Sequence, residues 1–561
     1  MKHRPKNRFL KLILYLLLVM VLVIAVFITW YYFDTQISKP NVNESIVNTY
    51  QRKSIGENEF RIGKNWLKKN QYGLWEMYLE GAPFERGIVS GKLTKELIYK
   101  QEKAFVDQIR EMIPSESYLD FLKYFIRFFN RDIDEYILPE YQEEIYGISF
   151  SASDDFDFIG TKYERMLNYH AAHDIGHALQ DLMLVGCTSF ATNLGFADSS
   201  MIIGRNFDFY INDAFAEDKI ICFEKPEKGY SFAYVTWASM IGVVSGMNNK
   251  GLTVTINAGK SDIPFRSATP ISLLAREILQ YASDIDEAIE IAKKRKTFVA
   301  ESLLIGSAKD NKAVIIEKSP SKFGVYATND NYLVCSNHFQ SNEFSKDESN
   351  RDQILESTST SRQNRAVELM ERKDTVDYSN AASILRDRLG VNDRSIGIGN
   401  EKAMAQMISH HSIIFQPLKR NMWVSTFPYQ FGKYLNYNLS NFFNELFLNP
   451  SVRISDKELT IPEDNFLYSK EYSDYLQYKS EREKIILATQ NKTELNTDYI
   501  KDFIALNPEY YQGYVLAGDY YLALDNREKA MQFYTHSLTK EFEKNSLRDE
   551  IEKKLLKLKN S

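Results

Sequence analysis

Twenty-two consecutive residues without a charge, 12–33, constrain this chain more than any other stretch of it. A helix rises about 1.5 Å per residue, so such a run crosses a hydrocarbon core about 30 Å thick. Lys2, Arg4, Lys6, Arg8 and Lys11 precede it. A basic flank belongs on the cytoplasmic side, which places the remainder of the chain outside the cytoplasm. The competing reading is a cleaved signal peptide. Against it, the run exceeds the usual signal core of about 7–15 residues and lacks a small-residue cleavage site. It ends instead in Ile28-Thr29-Trp30-Tyr31-Tyr32-Phe33, whose Trp30, Tyr31 and Tyr32 read as an interfacial aromatic belt. The expectation is a retained anchor over 1–33 and a single crossing, since no second segment of this kind follows.

The 561 residues are too many for one ordinary core, so two to four structural units are expected. A hydrophobic share of 44% with 26% charged residues is that of a folded chain, which excludes disorder. The net charge of −6 leaves no basic footprint for nucleic acid. Three cysteines make no disulfide scaffold. A single bridge between Cys222 and Cys335 is open, and it would leave Cys187 as the odd thiol.

Residues 34–58 are polar and read as a linker, and 59–186 read as mostly helical. There Phe121, Tyr124, Phe125, Phe128 and Phe129 recur at helical spacing, which predicts core positions. From 187 to 340 the texture changes to short β-rich runs separated by turns such as Asn248-Asn249-Lys250-Gly251 and interrupted by a helical stretch over 271–294. The next expected helices are 362–370 and 380–389, and 187–450 is taken as one domain. Such a mixture is compatible with two sheets packed face to face with helices outside. The tail 465–561 is helical again. Tyr514, Gly518, Tyr521, Ala530 and Tyr534 match tetratricopeptide spacing, with Ala517 departing from the usual Leu. One repeat cannot bury its own apolar face, so it must stack on the preceding helices. A plain helical hairpin packed on the main domain is the alternative.

The chemistry centres on Val185-Gly186-Cys187-Thr188-Ser189, where helical texture gives way to strand texture. A cysteine inside an intact chain needs an external base. If the bond before it is cut, its new α-amino group, with an ordinary pKa of about 7.7–8, serves as that base. Gly186 suits such a cut, because it leaves room for the thiol to reach its carbonyl. Alone, Gly-Cys-Thr reads as a buried, inert thiol. Other motifs follow it. Gly204-Arg205-Asn206-Phe207-Asp208-Phe209 sets a cation and a carboxylate three residues apart. Ile256-Asn257-Ala258-Gly259 and Cys335-Ser336-Asn337-His338-Phe339 end strands, and Ser361-Arg362-Gln363-Asn364-Arg365 opens a helix.

In this order the motifs resemble the cysteine branch of the N-terminal-nucleophile hydrolases. Within it the best match is the penicillin acyltransferase family, with bile-salt hydrolases, penicillin V acylases and the acid-ceramidase group as more distant relatives. Gly81-Ala82-Pro83-Phe84-Glu85-Arg86-Gly87 and Pro139-Glu140-Tyr141, with Glu143, Glu144 and Gly147, look like that family's pro-segment. The resemblance covers roughly 60–370. It implies a helical pro-segment over 59–186 and an αββα sandwich over 187–450. With the transmembrane helix and the helical tail, which lie outside the resemblance, the whole chain is expected to be α+β. The resemblance also implies cleavage between Gly186 and Cys187. Cys187 is then both the autocleavage and the catalytic nucleophile, attacking an acyl carbonyl to give a thioester. Asp208 holds the α-ammonium or orients the thiol, and Arg205 lowers the thiol pKa. Asn337 donates to the oxyanion, and Asn257 is either a second donor or a strand-end cap. Arg362 completes the polar site, although Arg365 competes for that match.

Other features point elsewhere. His170, His173 and His177 crowd one helix with Asp174, but the metalloprotease glutamate is missing, so no metal and no cofactor is expected. His410-His411 reads as structural. The rival class of function is a catalytically inactive, membrane-tethered scaffold whose repeat-like tail recruits a protein partner. The joint presence of Cys187, Arg205, Asp208 and Asn337 argues against it. The reading adopted is an amide-directed hydrolase or acyltransferase outside the cytoplasm, with a small-molecule N-acyl or lipid amide as substrate.

Overall fold

The computed structural model describes residues 6–113, 115–171, 184–193, 200–210, 213–262, 267–443, 455–496 and 498–560. Alternation along its strands sets the architecture. In the strand Glu301–Ser307, Leu303 and Ile305 join a core beneath the helices Ile271–Tyr281 and Ile285–Lys294, while Leu304 points into a second core. In the strand Ser409–Gln416, Ile413 and Phe415 enter that same second core from the other side. Ile414 instead packs with Trp423 and Tyr434 against the helices Ser359–Glu371 and Tyr378–Leu385. Since side chains alternate with period two, these memberships define four layers: helices, sheet, sheet, helices.

The first sheet has eleven strands. Its order is Lys53–Gly56, Glu59–Ile62, Asn65–Lys69, Trp75–Gly81, Ile220–Pro226, Phe232–Thr236, Ser245–Asn248, Leu252–Ala258, Glu301–Ser307, Lys312–Lys318 and Phe323–Tyr326. All neighbours are antiparallel except Trp75–Gly81 on Ile220–Pro226, which pair in parallel. The second sheet runs Tyr332–Cys335, Thr188–Thr192, Ile202–Tyr210, Ser409–Gln416, Asn421–Ser425, Tyr434–Asn438 and Asp456–Ile461, with Leu184–Val185 added on Ile202–Tyr210.

The start of the stretch read as helical from about 59 is a correction. Residues 53–81 form four strands, and the last of them docks in the centre of the first sheet. The alternation that would have announced them is absent for two reasons. Lys53–Gly56 is exposed throughout, and Trp66 and Leu67 are both buried, on opposite faces. A strand covered on both sides reads as a continuous apolar run. The expected linker, 34–58, also takes in the whole of the first of these strands, and its Val47 is buried in the outer helix core.

Two helices of the segment before Gly186 cross in backbone contact. A Cβ on Gly87 would stand 2.0 Å from the Glu144 carbonyl oxygen, and one on Gly147 would stand 2.6 Å from that of Phe84. The crossing brings Arg86 to Glu144 at 2.6 Å, beneath which Arg276 reaches Glu144 (2.9 Å) and Glu224. All four side chains are buried. The ion cluster thus joins residues on both sides of the Gly186–Cys187 bond.

The tail carries the helices Lys470–Asn491, Tyr499–Ala505, Tyr511–Ala523, Arg527–Ser537 and Asn545–Asn560 around a core of their own that includes Tyr478, Phe503, Ala517 and Tyr534. It sits on the loop around 394–402: Glu541 pairs with Lys402 (2.6 Å), and Asn507 donates to the Ile398 carbonyl (2.9 Å).

Candidate active site

Cys187 lies at a junction. Leu184–Val185 pairs with Tyr210 and Phe209, and Thr188 begins a new ladder opposite Asn206, so Gly186 and Cys187 bridge two short strands on one partner. The Gly186 N–H donates to the Asp208 carbonyl at 3.0 Å, which ties the bond before Cys187 to the strand carrying Arg205 and Asp208. A Cβ at position 186 would stand 2.4 Å from the Gln406 side-chain amide, so any other residue would have to displace that amide.

The thiol faces Arg205, whose Nη2 is 3.6 Å from Sγ. That guanidinium is buried and held by the carbonyls of Val244 (2.8 Å) and Ile256 and by the Ser245 hydroxyl. Ser245 also meets His411 Nε2 at 2.9 Å. The histidine pair read as structural therefore backs the arginine that touches the thiol. Burial pushes the Cys187 thiol up to about 11; Arg205 pulls it down and Asp208 pushes it up. In the uncut chain the sulfur is protonated at neutral pH.

Asp208 is buried as well. Its carboxylate accepts from the Ser409 hydroxyl and from Gln406 Nε2 (3.0 Å). Burial raises its pKa to about 7, against the pull of the Ser409 hydrogen bond.

Arg362 comes from the helix Ser359–Glu371. Its Nη1 donates to the carbonyls of Gly186 (2.9 Å) and Cys187 (2.7 Å) and to the Thr188 hydroxyl (2.5 Å); its Nη2 donates to Asn337 Oδ1 at 2.8 Å. Arg365 points elsewhere, to Asp387 (2.8 Å) and Asp393 (2.9 Å). With Oδ1 turned to Arg362, Asn337 spends one N–H on the Ala258 carbonyl (3.0 Å) and keeps the other. Asn257 is bound by Nδ2 to the Cys335 carbonyl (3.0 Å) and by Oδ1 to the Ser189 hydroxyl (3.1 Å).

The structure thus links Cys187, Arg205, Asp208, Asn337 and Arg362 in one hydrogen-bonded cluster about residues 186 and 187, with Asn257 beside Ser189 at the next strand. Sequence reading missed Gln406, which donates through Nε2 to both the Gly186 carbonyl and Asp208. The available signal was a lone amide in Met404-Ala405-Gln406-Met407, apolar neighbours that are all buried. Ser409 and Ser245 had no signal of their own.

Cys222 and Cys335 are free and buried, so the open disulfide is not formed. Cys222 belongs to the outer helix core and Cys335 to the core between the sheets, which keeps the two thiols in different layers. His170 is committed elsewhere: Nδ1 faces the Met166 carbonyl (2.7 Å), Nε2 accepts from the Ile241 N–H (2.9 Å), and burial lowers its pKa to about 4. His173, Asp174 and His177 lie outside the described residues. Among the described residues no three His, Cys, Asp or Glu side chains form a group that could hold a metal ion.

Residues 196–426 match the family of acyl-coenzyme A:6-aminopenicillanic acid acyl-transferase. The chain resembles that acyl-transferring class over a span that takes in Arg205, Asp208, Asn257, Asn337, Arg362 and Gln406 and begins after Cys187. An uncharacterized protein of Archaeoglobus fulgidus is 27% identical over 274 residues, 45% of this chain and 45% of its own length. Protein dcd1B of Dictyostelium discoideum is 23% identical over 284 residues, 46% of this chain and 53% of that protein. The chain spans about half the length of the curated relatives it matches. Among solved structures, the N-acylethanolamine-hydrolyzing acid amidase ortholog of Caenorhabditis elegans is 18% identical, covering 41% of this chain and 93% of that one at a TM-score of 0.31. A variant of the conjugated bile acid hydrolase of Clostridium perfringens is 13% identical, covering 48% of this chain and 96% of that one at a TM-score of 0.31.

Proposed function

We propose that this protein is an autoprocessed cysteine N-terminal-nucleophile amidohydrolase or acyltransferase, built on that class's αββα sandwich and acting on linear N-acyl amide bonds. One observation carries the reading. The carbonyl oxygen of Gly186, one bond before the thiol, is gripped by two side-chain donors, Arg362 and Gln406. Donors aimed at a carbonyl oxygen stabilise the negative charge that attack on its carbon would create.

In the precursor, the Cys187 sulfur attacks the Gly186 carbonyl carbon. The thiol proton passes by way of Asp208 to the departing amide nitrogen, and the C–N bond breaks to leave a thioester and a free α-amine on Cys187. Water then releases Gly186 as a carboxylate and restores the thiol. In the mature enzyme the α-amine takes the thiol proton, and Arg205 steadies the thiolate. The thiolate attacks the substrate acyl carbonyl, the second N–H of Asn337 faces the oxyanion, and the protonated α-amine gives its proton to the leaving amine. Water or another amine resolves the thioester. The helix Leu10–Asp34 is long and apolar enough to span a membrane. Reading it as a retained anchor puts the enzyme outside the cytoplasm, where acyl-coenzyme A is not at hand, so hydrolysis of an N-acyl or lipid amide is the preferred version.

Intact mass spectrometry of wild type and Cys187→Ala tests this. Two fragments in the wild type, the larger beginning at Cys187, and one uncut chain in the variant are expected. An uncut wild-type chain would remove the base and return Cys187 to an ordinary core thiol.

A further inference from the structure

The outward face of the helix Glu116–Phe129 is aromatic. Its inner face is accounted for: Leu122 is buried, and Phe129 meets Phe298 in the outer helix core. Yet Tyr118, Phe121 and Phe125 are 50%, 60% and 44% exposed, and their rings stack along the outer side at 6.2 and 6.3 Å. Tyr124 is exposed beside them, as is Phe158, whose carbonyl accepts from Lys123 at 3.3 Å. A contiguous apolar patch of this kind marks a contact surface.

The same helix receives the end of the apolar helix Lys6–Asp34. The Tyr31 hydroxyl donates to the Tyr124 carbonyl at 2.8 Å, and the Trp30 ring meets Phe128 edge-on at 6.1 Å. One turn on, Arg131 pairs with Asp34 (3.3 Å), and Arg127 donates to the Thr35 carbonyl (3.4 Å). Trp and Tyr at the end of a spanning helix sit at headgroup depth. A helix fastened to those residues lies at that depth too, and an interfacial helix sinks its apolar face about 5–10 Å into the boundary. Its cations are already paired, Lys123 with Asp120 and Arg127 with Glu164, so ring burial and not attraction to acidic lipid must drive the contact.

We propose that the helix Glu116–Phe129 is a second membrane-contacting element, lying in the interface of the bilayer that the anchor spans and holding the catalytic domain against the lipid. The inference rests on reading the N-terminal helix as an anchor. Sedimentation with membranes would not test it, because the anchor alone suffices there.

The test uses the full chain in neutral phosphatidylcholine vesicles with brominated acyl chains, which quench only tryptophans in contact with lipid. Of the five tryptophans, Trp66, Trp75 and Trp423 are buried, Trp237 is partly buried against Phe215 and His410, and Trp30 reports on the anchor. Phe121→Trp and Tyr118→Trp add probes on the exposed stripe; Leu355→Trp, on the opposite helix layer, is the control. The expected result is that Trp30 and both stripe probes lose at least half their fluorescence while the control loses none. Quenching of Trp30 without the stripe probes would overturn the proposal and assign the patch to a protein partner. Quenching of neither would overturn the anchor reading and this proposal together.

Discussion

Two of the clusters of buried charge among the described residues are balanced differently. Outside the first sheet, Arg86 and Arg276 face Glu144 and Glu224, two cations against two anions. Burial alone would raise the pKa of Glu144, but the two arginines hold it below the usual carboxylate range, and Glu144 and Glu224 push Arg276 far above its own. At Cys187, Arg205 and Arg362 are just as buried but reach only carbonyls, hydroxyls, an amide and the thiol. Burial lowers the pKa of both. The first cluster has its charges cancelled and serves the fold. On the mechanism proposed above, the second holds positive charge ready for an anion that forms only during reaction, where perturbed groups gather.

Breaking the balanced cluster should have the largest effect on stability. Glu144→Ala leaves two buried cations facing one carboxylate, a loss of about 3–5 kcal/mol from a typical total of about 5–15. Thermal unfolding should show a steep drop, and cleaved fragments that co-elute in the wild type should separate, since the cluster joins residues on both sides of position 186. Arg205→Met should do the reverse: activity lost, melting temperature held or raised. A similar fall in stability for both variants would erase the distinction between the clusters.

Within the reactive cluster, Gln406→Ala removes one of the two donors on the Gly186 carbonyl. Loss of one such donor slows acyl transfer by about 10²–10³-fold. A time course of fragment appearance should show that slowing with little change in melting temperature. Cleavage at the wild-type rate would mean that the negative charge develops on another oxygen.

The two clusters were not equally legible in the sequence. Cys187, Arg205, Asp208, Asn337 and Arg362 stood in motifs whose order along the chain could be matched to a known family. Arg86 and Glu144 were read only as part of a pro-segment, and the reason for its glycines appeared when Gly87 and Gly147 were seen in backbone contact. Arg276 sits in a helix read correctly for its apolar face, and nothing local distinguishes it from a surface cation. Gln406 and the strand Trp75–Gly81 share a cause: each has a partner more than a hundred residues away, beyond what periodicity registers. The choice between Arg362 and Arg365, one turn apart on a helix, likewise needed three dimensions.

Acid and base should separate Glu144 from Asp208 by sign, with the smallest effect of the series. Glu144 has a depressed pKa, so its contribution to stability is present above its unfolded value of about 4.3 and is lost as pH falls below it. Asp208 has a raised one, so its contribution is present below about 3.9 and is lost as pH rises through about 7. In the proposed cleavage, the ionised Asp208 is also the form that accepts the thiol proton. Cleavage should therefore accelerate about tenfold from pH 6 to pH 8, while the thiol stays protonated until about 11. Rates measured across that range for wild type and Asp208→Asn check this: the variant should be slow and flat. A wild-type rate that falls with rising pH would make the protonated carboxyl the active form, and Asp208 would then act as an acid on the leaving nitrogen and not as the acceptor of the thiol proton.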